Sequence, residues 1–247
     1  MSAPAALRIE KLSLSYAGSL TVSLPQLTLR EGEPALLTGV SGSGKSTLLE
    51  CIGLLNRRMR CERYTVGDRE LTSLDDRELE RWRKAEVGFM PQNGGLVAFL
   101  SVAANLKLQI ELTLEARLGT APRAEVRRLY AEALEMAESL GVGGALLKRY
   151  PAELSIGQRQ RAVFCRAVAG QPQLLLIDEP TAALDPAHAV KLFELMADLS
   201  ATRHNLMLIV THDIRHAALF KHSYAWSEQA SDSTHSVFLE VEDACGS

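Results

Sequence analysis

The chain has 247 residues, of which 47% are hydrophobic and 23% charged, proportions typical of a soluble globular protein with one large domain or two small ones. The formal net charge is −3 and no block of like charge is present, which argues against a dominant nucleic-acid-binding surface. The four cysteines form no CxxC pair, so we expect reduced thiols in the cytosol rather than a disulfide framework.

The beginning of the chain predicts neither a leader nor a membrane span. Residues 1–16 lack a basic segment followed by an apolar run, so we expect no signal peptide. No uninterrupted apolar stretch reaches the length that crosses a bilayer. If the protein serves a membrane, we expect it to do so from the soluble side, through a partner.

The first predicted elements are strands. Residues 7–16 and 20–29 alternate apolar and polar side chains, which predicts half-exposed strands of an antiparallel layer, with Pro25 at a bend or an edge. The short apolar run at 34–40 predicts a buried central strand. Residues 45–55 predict a helix directly after it.

The middle of the chain predicts mainly helices. Helical patterns occur at 75–84, 101–111, 122–140 and 155–169, and the third of these is followed by Gly141, as expected at a helix end. Buried strands then follow at 174–178 and 206–210 with a helix at 186–199 between them, and two short strand-like segments, 222–226 and 236–243, close the chain. Buried strands alternating with helices predict a doubly wound α/β core, with residues 93–170 as an inserted helical arm.

A phosphate-binding loop follows the first buried strand. Residues 39–46 fit the pattern G-x-x-x-x-G-K-[ST] in full, at the start of a predicted helix, where backbone N–H groups and the helix dipole favour phosphate. Lys45 is suited to the β- and γ-phosphates of a nucleotide and the Ser46 hydroxyl to Mg²⁺. The predicted ATP-binding residues in this loop are Gly39, Ser41, Gly42, Ser43, Gly44, Lys45, Ser46 and Thr47.

Two acids end the strand at 174–178. Asp178 is placed where P-loop ATPases hold Mg²⁺, and Glu179 follows at once. Neighbouring side chains on an extended chain point apart, so the second carboxylate can act as the general base that polarises the attacking water.

The segment Leu154-Ser155-Ile156-Gly157-Gln158 resembles the LSGGQ signature of the ATP-binding cassette (ABC) family. Other family motifs occur in the same order. Gln92 resembles the Q-loop glutamine, Ala183-Leu184-Asp185 the D-loop, and His212 the H-loop histidine, while Tyr16 resembles the aromatic residue that stacks on adenine.

The resemblance implies a fold and a set of roles. The fold is α/β, a P-loop NTPase (RecA-like) core with an antiparallel β layer and an inserted helical signature subdomain, all within one domain, 1–247, whose core covers about 1–92 and 171–247. Ser155, Gly157 and Gln158 would close on the ATP that a second subunit binds. Gln92 would join the shell of Mg²⁺ and water, and His212 would hold that water in line with the γ-phosphate.

The chain departs from the family pattern in two places. Ile156 replaces the first glycine of the signature pair, and the usual glycine turn is missing between the last two strand-like segments. The first change leaves Ser155 and Gly157 for the phosphate, although an apolar side chain there alters the closed interface. The second leaves the pairing of the last two segments open.

The function implied is an Mg²⁺-dependent ATPase subunit that energises a separate transmembrane permease from the cytoplasmic face of the inner (plasma) membrane. Residues 68–92 and 100–108 resemble the lipoprotein-releasing, macrolide-efflux and cell-division subgroup, whereas IDEPTAALD, residues 177–185, resembles importers of small solutes. A soluble ABC ATPase acting on DNA or ribosomes and a regulatory nucleotide-binding module are the alternatives. The first would require a long coiled coil or a second cassette, and Glu179 and His212 argue against the second.

Overall fold

The computed structural model describes residues 6–15, 21–56, 58–181, 186–212, 220, 222–228 and 235–241. Its strands are β1 Ala6–Ser15, β2 Thr21–Arg30, β3 Ala35–Thr38, β4 Met59–Arg60, β5 Arg63–Val66, β6 Arg69–Glu70, β7 Val87–Met90, β8 Leu174–Asp178, β9 Leu206–Thr211, β10 His222–Trp226 and β11 His235–Val241. Its α-helices are α1 Lys45–Ile52, α2 Asp76–Glu86, α3 Val102–Leu118, α4 Arg123–Ser139, α5 Ile156–Ala169 and α6 Pro186–Arg203.

One mixed sheet runs through the molecule in the order β6-β5-β1-β2-β11-β10-β3-β9-β8-β7, with β4 beside β1. Strands β10, β3, β9, β8 and β7 are parallel to one another, while β1 pairs antiparallel with β2, β4 and β5. Strand β11 joins the two parts, since it pairs antiparallel with β10 and parallel with β2. The predicted doubly wound α/β core with an antiparallel layer is therefore confirmed.

Apolar side chains cover both faces of the parallel strands. Every residue of β8 and β9 is buried, as expected of strands with helices on both sides. Alternate β8 residues divide between the two faces, so Leu174 and Leu176 pack with α1 and the antiparallel layer, while Leu175 and Ile177 pack with α5 and α6. The sheet thus separates two parts of the hydrophobic core.

Helices α3, α4 and α5 share a further apolar cluster, which includes Leu106, Ile110, Leu129 and Cys165. They lie between β7 and β8 in the chain. Two 3₁₀ turns, Gly144–Lys148 and Pro151–Glu153, connect α4 to α5. The prediction that residues 93–170 form a separate helical arm remains a prediction about domain boundaries.

Several local predictions differ from the structure. Helix α3 continues to Leu118, seven residues beyond the predicted end at 111, and stops at Gly119 with φ 74°. Strands β4 to β7 were not predicted, because each has only two to four residues and none is an uninterrupted run of large apolar side chains like that of β8. Pro25, predicted at a bend or an edge, lies inside β2, and the pairing with β1 is interrupted there, opposite Lys11.

Strands β10 and β11 pair antiparallel, although no glycine lies between them in the sequence. The pairing that the sequence left open is therefore settled for these two strands. Cys51, Cys61 and Cys165 are free thiols, and burial raises the pKa of Cys51 and of Cys165 to about 12, while Cys245 lies outside the described residues. Among the residues described, none of the helices is both long and apolar enough to cross a membrane.

Candidate functional site

Four predicted segments follow adjacent parallel strands. The phosphate-binding loop follows β3, Asp178 ends β8, His212 follows β9 and Gln92 comes two residues after β7. The register pairs Thr38 with Thr211, and Asp178 with Val210. Because the carboxyl ends of parallel strands lie at one edge of a sheet, these segments share that edge, where α/β proteins bind their ligands.

Gly44 is a residue on which the shape of the phosphate-binding loop depends. It lies immediately before α1 with φ 91°, a conformation that suits glycine. A Cβ atom on Gly44 would lie only 2.4 Å from Cγ2 of Val22. Both its backbone angle and its contact with β2 therefore require glycine, and no side chain forms a capping hydrogen bond at the start of α1.

Lys45 is largely buried within the same loop. Its Nζ donates hydrogen bonds of 2.8 Å to the carbonyl oxygens of Gly39 and Val40. Burial lowers the pKa of Lys45, and the carboxylates of Glu179 and Asp178 act in the opposite direction. The ammonium group is therefore held inside the loop by backbone carbonyls, in the electrostatic field of the two acids at the end of β8.

The other loop residues divide between structural and accessible positions. Ser43 is buried and its hydroxyl donates to the carbonyl oxygen of Val40 at 2.8 Å, so this side chain shapes the loop. A Cβ atom on Gly39 would lie 2.7 Å from Cβ of Trp226 on β10. Ser41 and Gly42 are exposed, and Thr47 is half-buried on α1.

Asp178 is a buried carboxylate at the end of β8. Burial raises its pKa, and a hydrogen bond from Ser46 partly offsets this. Its Oδ1 atom is buried without a hydrogen-bond partner. A carboxylate beside a hydroxyl, with one oxygen still unpaired, fits the oxygen ligands that Mg²⁺ takes together with nucleotide phosphates. Among the described residues no group of three His, Cys, Asp or Glu could hold a metal alone.

Glu179 contacts a different set of atoms. Its side chain is buried, and its Oε2 lies 2.8 Å from Nδ1 of His212. Its own N–H donates to the carbonyl oxygen of Val210 at 2.8 Å, and its carbonyl accepts a 3.0 Å hydrogen bond from Nε2 of Gln160. The two adjacent acids thus point to different partners. Sequence reasoning assigned no role to Gln160, which lies in the segment Arg159-Gln160-Arg161 that resembles the usual continuation of the ABC signature.

The signature segment forms the start of α5. Ser155 is the N-cap, its hydroxyl accepts from the N–H of Gln158, and its own N–H donates to Oε1 of Gln158. Ser155 forms this reciprocal capping box while it remains exposed, and Ile156 beside it is 70% exposed. Gln92 is also exposed, on the loop after β7. Tyr16 and residues 183–185 lie outside the described part of the chain.

Comparison with known proteins agrees with this arrangement. The ABC transporter family model matches residues 23–182. The methionine import ATP-binding protein MetN of Thermobifida fusca is 39% identical over 188 residues, 76% of this chain and 55% of MetN. This chain thus spans about half the length of such relatives. The ABC transporter ATP-binding protein MJ0796 of Methanocaldococcus jannaschii is 37% identical over 76% of this chain and 77% of that protein.

The fold has a close counterpart among solved structures. A dimeric structure of MJ0796, described as a post-hydrolysis state bound to ADP and Pi, superposes with a TM-score of 0.76 and 30% identity, covering 89% of this chain and 93% of that chain. The family model spans well over half of the residues, and the loop, the acids and the histidine lie at one edge of the sheet. The chain therefore belongs to the ABC transporter family.

Proposed function

We propose that this chain is the ATP-binding and ATP-hydrolysing subunit of an ABC transporter, and that it energises a separate membrane protein. The observation that carries the proposal is the meeting of the phosphate-binding loop, Asp178 and the Glu179–His212 pair at the carboxyl edge of the parallel strands. The MetN relatives are named as import ATP-binding proteins, which favours a transporter over an ATPase acting on DNA or ribosomes.

Nucleotide binding uses the loop before α1. The backbone N–H groups around Gly42 and Gly44, together with the N-terminal end of α1, attract the phosphates. Lys45 exchanges its bonds to Gly39 and Val40 for bonds to the phosphate oxygens, which are stronger because both partners are charged. Tyr16 stacks on the adenine.

Few protein atoms would hold magnesium. Ser46 and Asp178 would be its ligands on this chain, and Gln92 would join the shell of the ion and water. The ion would supply positive charge that neutralises the phosphates of ATP. The unpaired buried oxygen of Asp178 supports this assignment, because a buried carboxylate oxygen without a partner is costly.

Hydrolysis requires a base and an oriented water. Glu179 accepts the proton of the attacking water, and His212 holds the Glu179 carboxylate through the 2.8 Å contact between Nδ1 and Oε2. His212 is mostly exposed, whereas Glu179 is 8% exposed in its side chain. The histidine therefore lies on the solvent side of the base, and Gln92 approaches the same water from the loop after β7.

Two chains complete each site. Ser155, Gly157 and Gln158 bind the γ-phosphate of the ATP held by a second subunit, with the N-terminus of α5 directed at it. The MJ0796 structure bound to ADP and Pi is dimeric, which supports this arrangement. The second subunit is a further copy of this chain, and Ile156, 70% exposed beside Ser155, lies at the contact.

The membrane partner is a permease that this chain meets at the cytoplasmic face of the membrane. Residues 93–170 form the helical arm that transmits closure of the dimer to it. The loop before α3 is suited to that contact, because Phe99 is 80% exposed while Asn105 is buried and bonds to the backbone of Val97, Leu100 and Ser101. A rigid loop thus displays an apolar side chain.

The decisive test is release of phosphate from ATP by the purified chain, with and without Mg²⁺. We expect Mg²⁺-dependent turnover that Glu179→Gln abolishes, while the variant still binds ATP and accumulates as a dimer. Turnover by Glu179→Gln at the wild-type rate would show that another group is the base.

The membrane partner is tested with the same variant, isolated from native membranes in the presence of ATP. Co-isolation of a multi-spanning protein supports the permease. The topology of the co-isolated protein would distinguish a compact importer from a protein with a large extracytoplasmic domain. Recovery of only ribosomes or DNA-repair proteins would contradict the membrane assignment.

A further inference from the structure

The backbone of Glu179 has an unusual conformation. Its φ is +48°, in the left-handed region that costs a residue with a Cβ atom about 1–2 kcal/mol. The preceding strand β8 is extended and fully buried. The chain therefore turns sharply at the proposed base, and this turn determines the direction of the carboxylate. The groups that bind the Glu179 peptide consequently affect how the base is oriented.

Gln160 holds the carbonyl side of that turn. Its Nε2 donates a 3.0 Å hydrogen bond to the Glu179 carbonyl oxygen across 19 residues of sequence. The other amide atom of Gln160, Oε1, is buried without a hydrogen-bond partner. An unpaired buried acceptor destabilises a protein, and an apolar side chain of similar size would avoid that cost. The side-chain amide of Gln160 therefore serves to donate a hydrogen bond to Glu179, and it does not serve to stabilise the fold in general.

Helix α5 connects this contact to the signature segment. Gln160 lies five residues after the N-cap Ser155, about 7.5 Å along the helix axis. Beyond Gln160 the helix is anchored in the core by Ala162, Val163 and Phe164. Because α5 runs without a break from its N-cap into this buried part, we expect a displacement of Ser155 to be transferred to Gln160.

The same helix also contacts the loop that carries Gln92. Arg166 donates a hydrogen bond to the carbonyl oxygen of Gly95. Gly95 packs so closely on α5 that a Cβ atom there would lie 2.6 Å from Val163. Helix α5 therefore touches two parts of the site that the sequence places far apart.

We propose that Gln160 is a positioning residue, through which α5 orients the backbone and carboxylate of Glu179. Closure of Ser155 on the nucleotide of the second subunit would then be passed along α5 to the base of its own subunit. The inference rests on the proposed function, and it adds a link between the signature helix and the base within one chain.

The first test is Gln160→Met, which keeps the length of the side chain and removes the donor. We expect kcat for ATP hydrolysis to fall about tenfold, as for loss of one hydrogen bond at an oriented base, with KM for ATP within about twofold of wild type. Gln109→Met is the matched control, because Gln109 is also a helical glutamine whose Nε2 donates a hydrogen bond, to Thr113 within α3. A wild-type kcat for Gln160→Met would overturn the proposal.

The second test separates orientation from packing. In Gln160→Glu the carboxylate cannot donate to the Glu179 carbonyl, whereas its protonated form can. The ratio of the variant's kcat to the wild-type kcat should therefore rise as pH falls from about 8 to 6, since partial burial favours the protonated acid. A constant ratio would contradict the proposal. A wild-type chain without ATPase activity would instead reject the proposed function itself.

Discussion

The Nδ1 atom of His212 lies 2.8 Å from Oε2 of Glu179, across 33 residues of sequence. The contact exists because β8 and β9 are adjacent and parallel, with Asp178 opposite Val210. The backbone N–H of His212 also donates to this oxygen, with 3.4 Å between the nitrogen and Oε2. The Glu179 carboxylate is thereby directed toward one side of the site, whereas that of Asp178 faces Ser46.

Replacing His212 with alanine should slow hydrolysis more than it weakens ATP binding. Loss of a hydrogen bond to a charged group costs about 1.5–3 kcal/mol, so we expect kcat to fall about tenfold to a hundredfold. Steady-state kinetics with a separate ATP-binding assay measure both effects. His204→Asn is the control, because His204 has φ 52°, which asparagine tolerates. Equal kcat values for the two variants would rule out a role for the Glu179–His212 contact.

Gly44→Ala should damage the phosphate-binding loop. Alanine at this position would have to adopt a left-handed backbone conformation, and its Cβ atom would lie 2.4 Å from Cγ2 of Val22. We therefore expect the free energy of unfolding to fall by about 2–4 kcal/mol and ATP binding to be lost. Gly119→Ala is matched in φ, 74°, with nothing within 4 Å of the added atom, and should cost only about 1 kcal/mol. Denaturant unfolding compares them, and equal losses would exclude the close contact with Val22 as a cause.

Asp178→Asn should raise the thermal stability of the nucleotide-free chain while it removes ATPase activity. Burial raises the pKa of Asp178 above its ordinary value of 3.8, so the folded protein binds a proton more readily than the unfolded chain. The stability that Asp178 contributes to the wild-type protein is therefore present below the pKa that its carboxyl group has in the unfolded chain. It is lost as pH rises through the higher pKa that the group has in the folded protein.

The gain from Asp178→Asn should accordingly be largest near neutral pH and absent below about pH 4. The melting temperatures of both proteins, measured across this range, test the prediction. Hydrolysis should fall at least about a hundredfold, because the proposed Mg²⁺ ligand loses its charge. A variant less stable than wild type at neutral pH would contradict the sign derived from burial.

Arg117→Ala should destabilise the fold far more than Arg128→Ala. The guanidinium of Arg117 bonds to both carboxylate oxygens of Glu86 and to the carbonyl oxygens of Gly170 and Gln171. Its removal leaves half-buried acceptors without a partner, at a cost of about 2–3 kcal/mol. Arg128 pairs with acids on an exposed face of α4, where such pairs contribute about 0–1 kcal/mol. Unfolding in denaturant measures both, and similar losses would refute the difference.

The local patterns of the chain predicted most of the elements around the site. Strands β3, β8 and β9 appeared as short apolar runs, and the loop between β3 and α1 was identified by its glycines, Lys45 and Ser46. Such features depend on neighbouring residues alone, because the apolar pattern of a strand and the capping of a helix involve residues only a few positions apart. Capping of α5 by Ser155 and Gln158 is of the same kind.

Other features depended on which elements lie side by side. Nothing local to Gln160 marks it as a partner of Glu179, and nothing local to Gly39 places Trp226 against it. The first contact follows from the packing of α5 on one face of β8, and the second from the sheet order, in which β10 lies beside β3. The sequence by itself therefore determined which residues carry the chemistry. Only the tertiary structure decided which groups hold them in place, because those contacts join segments that are distant along the chain.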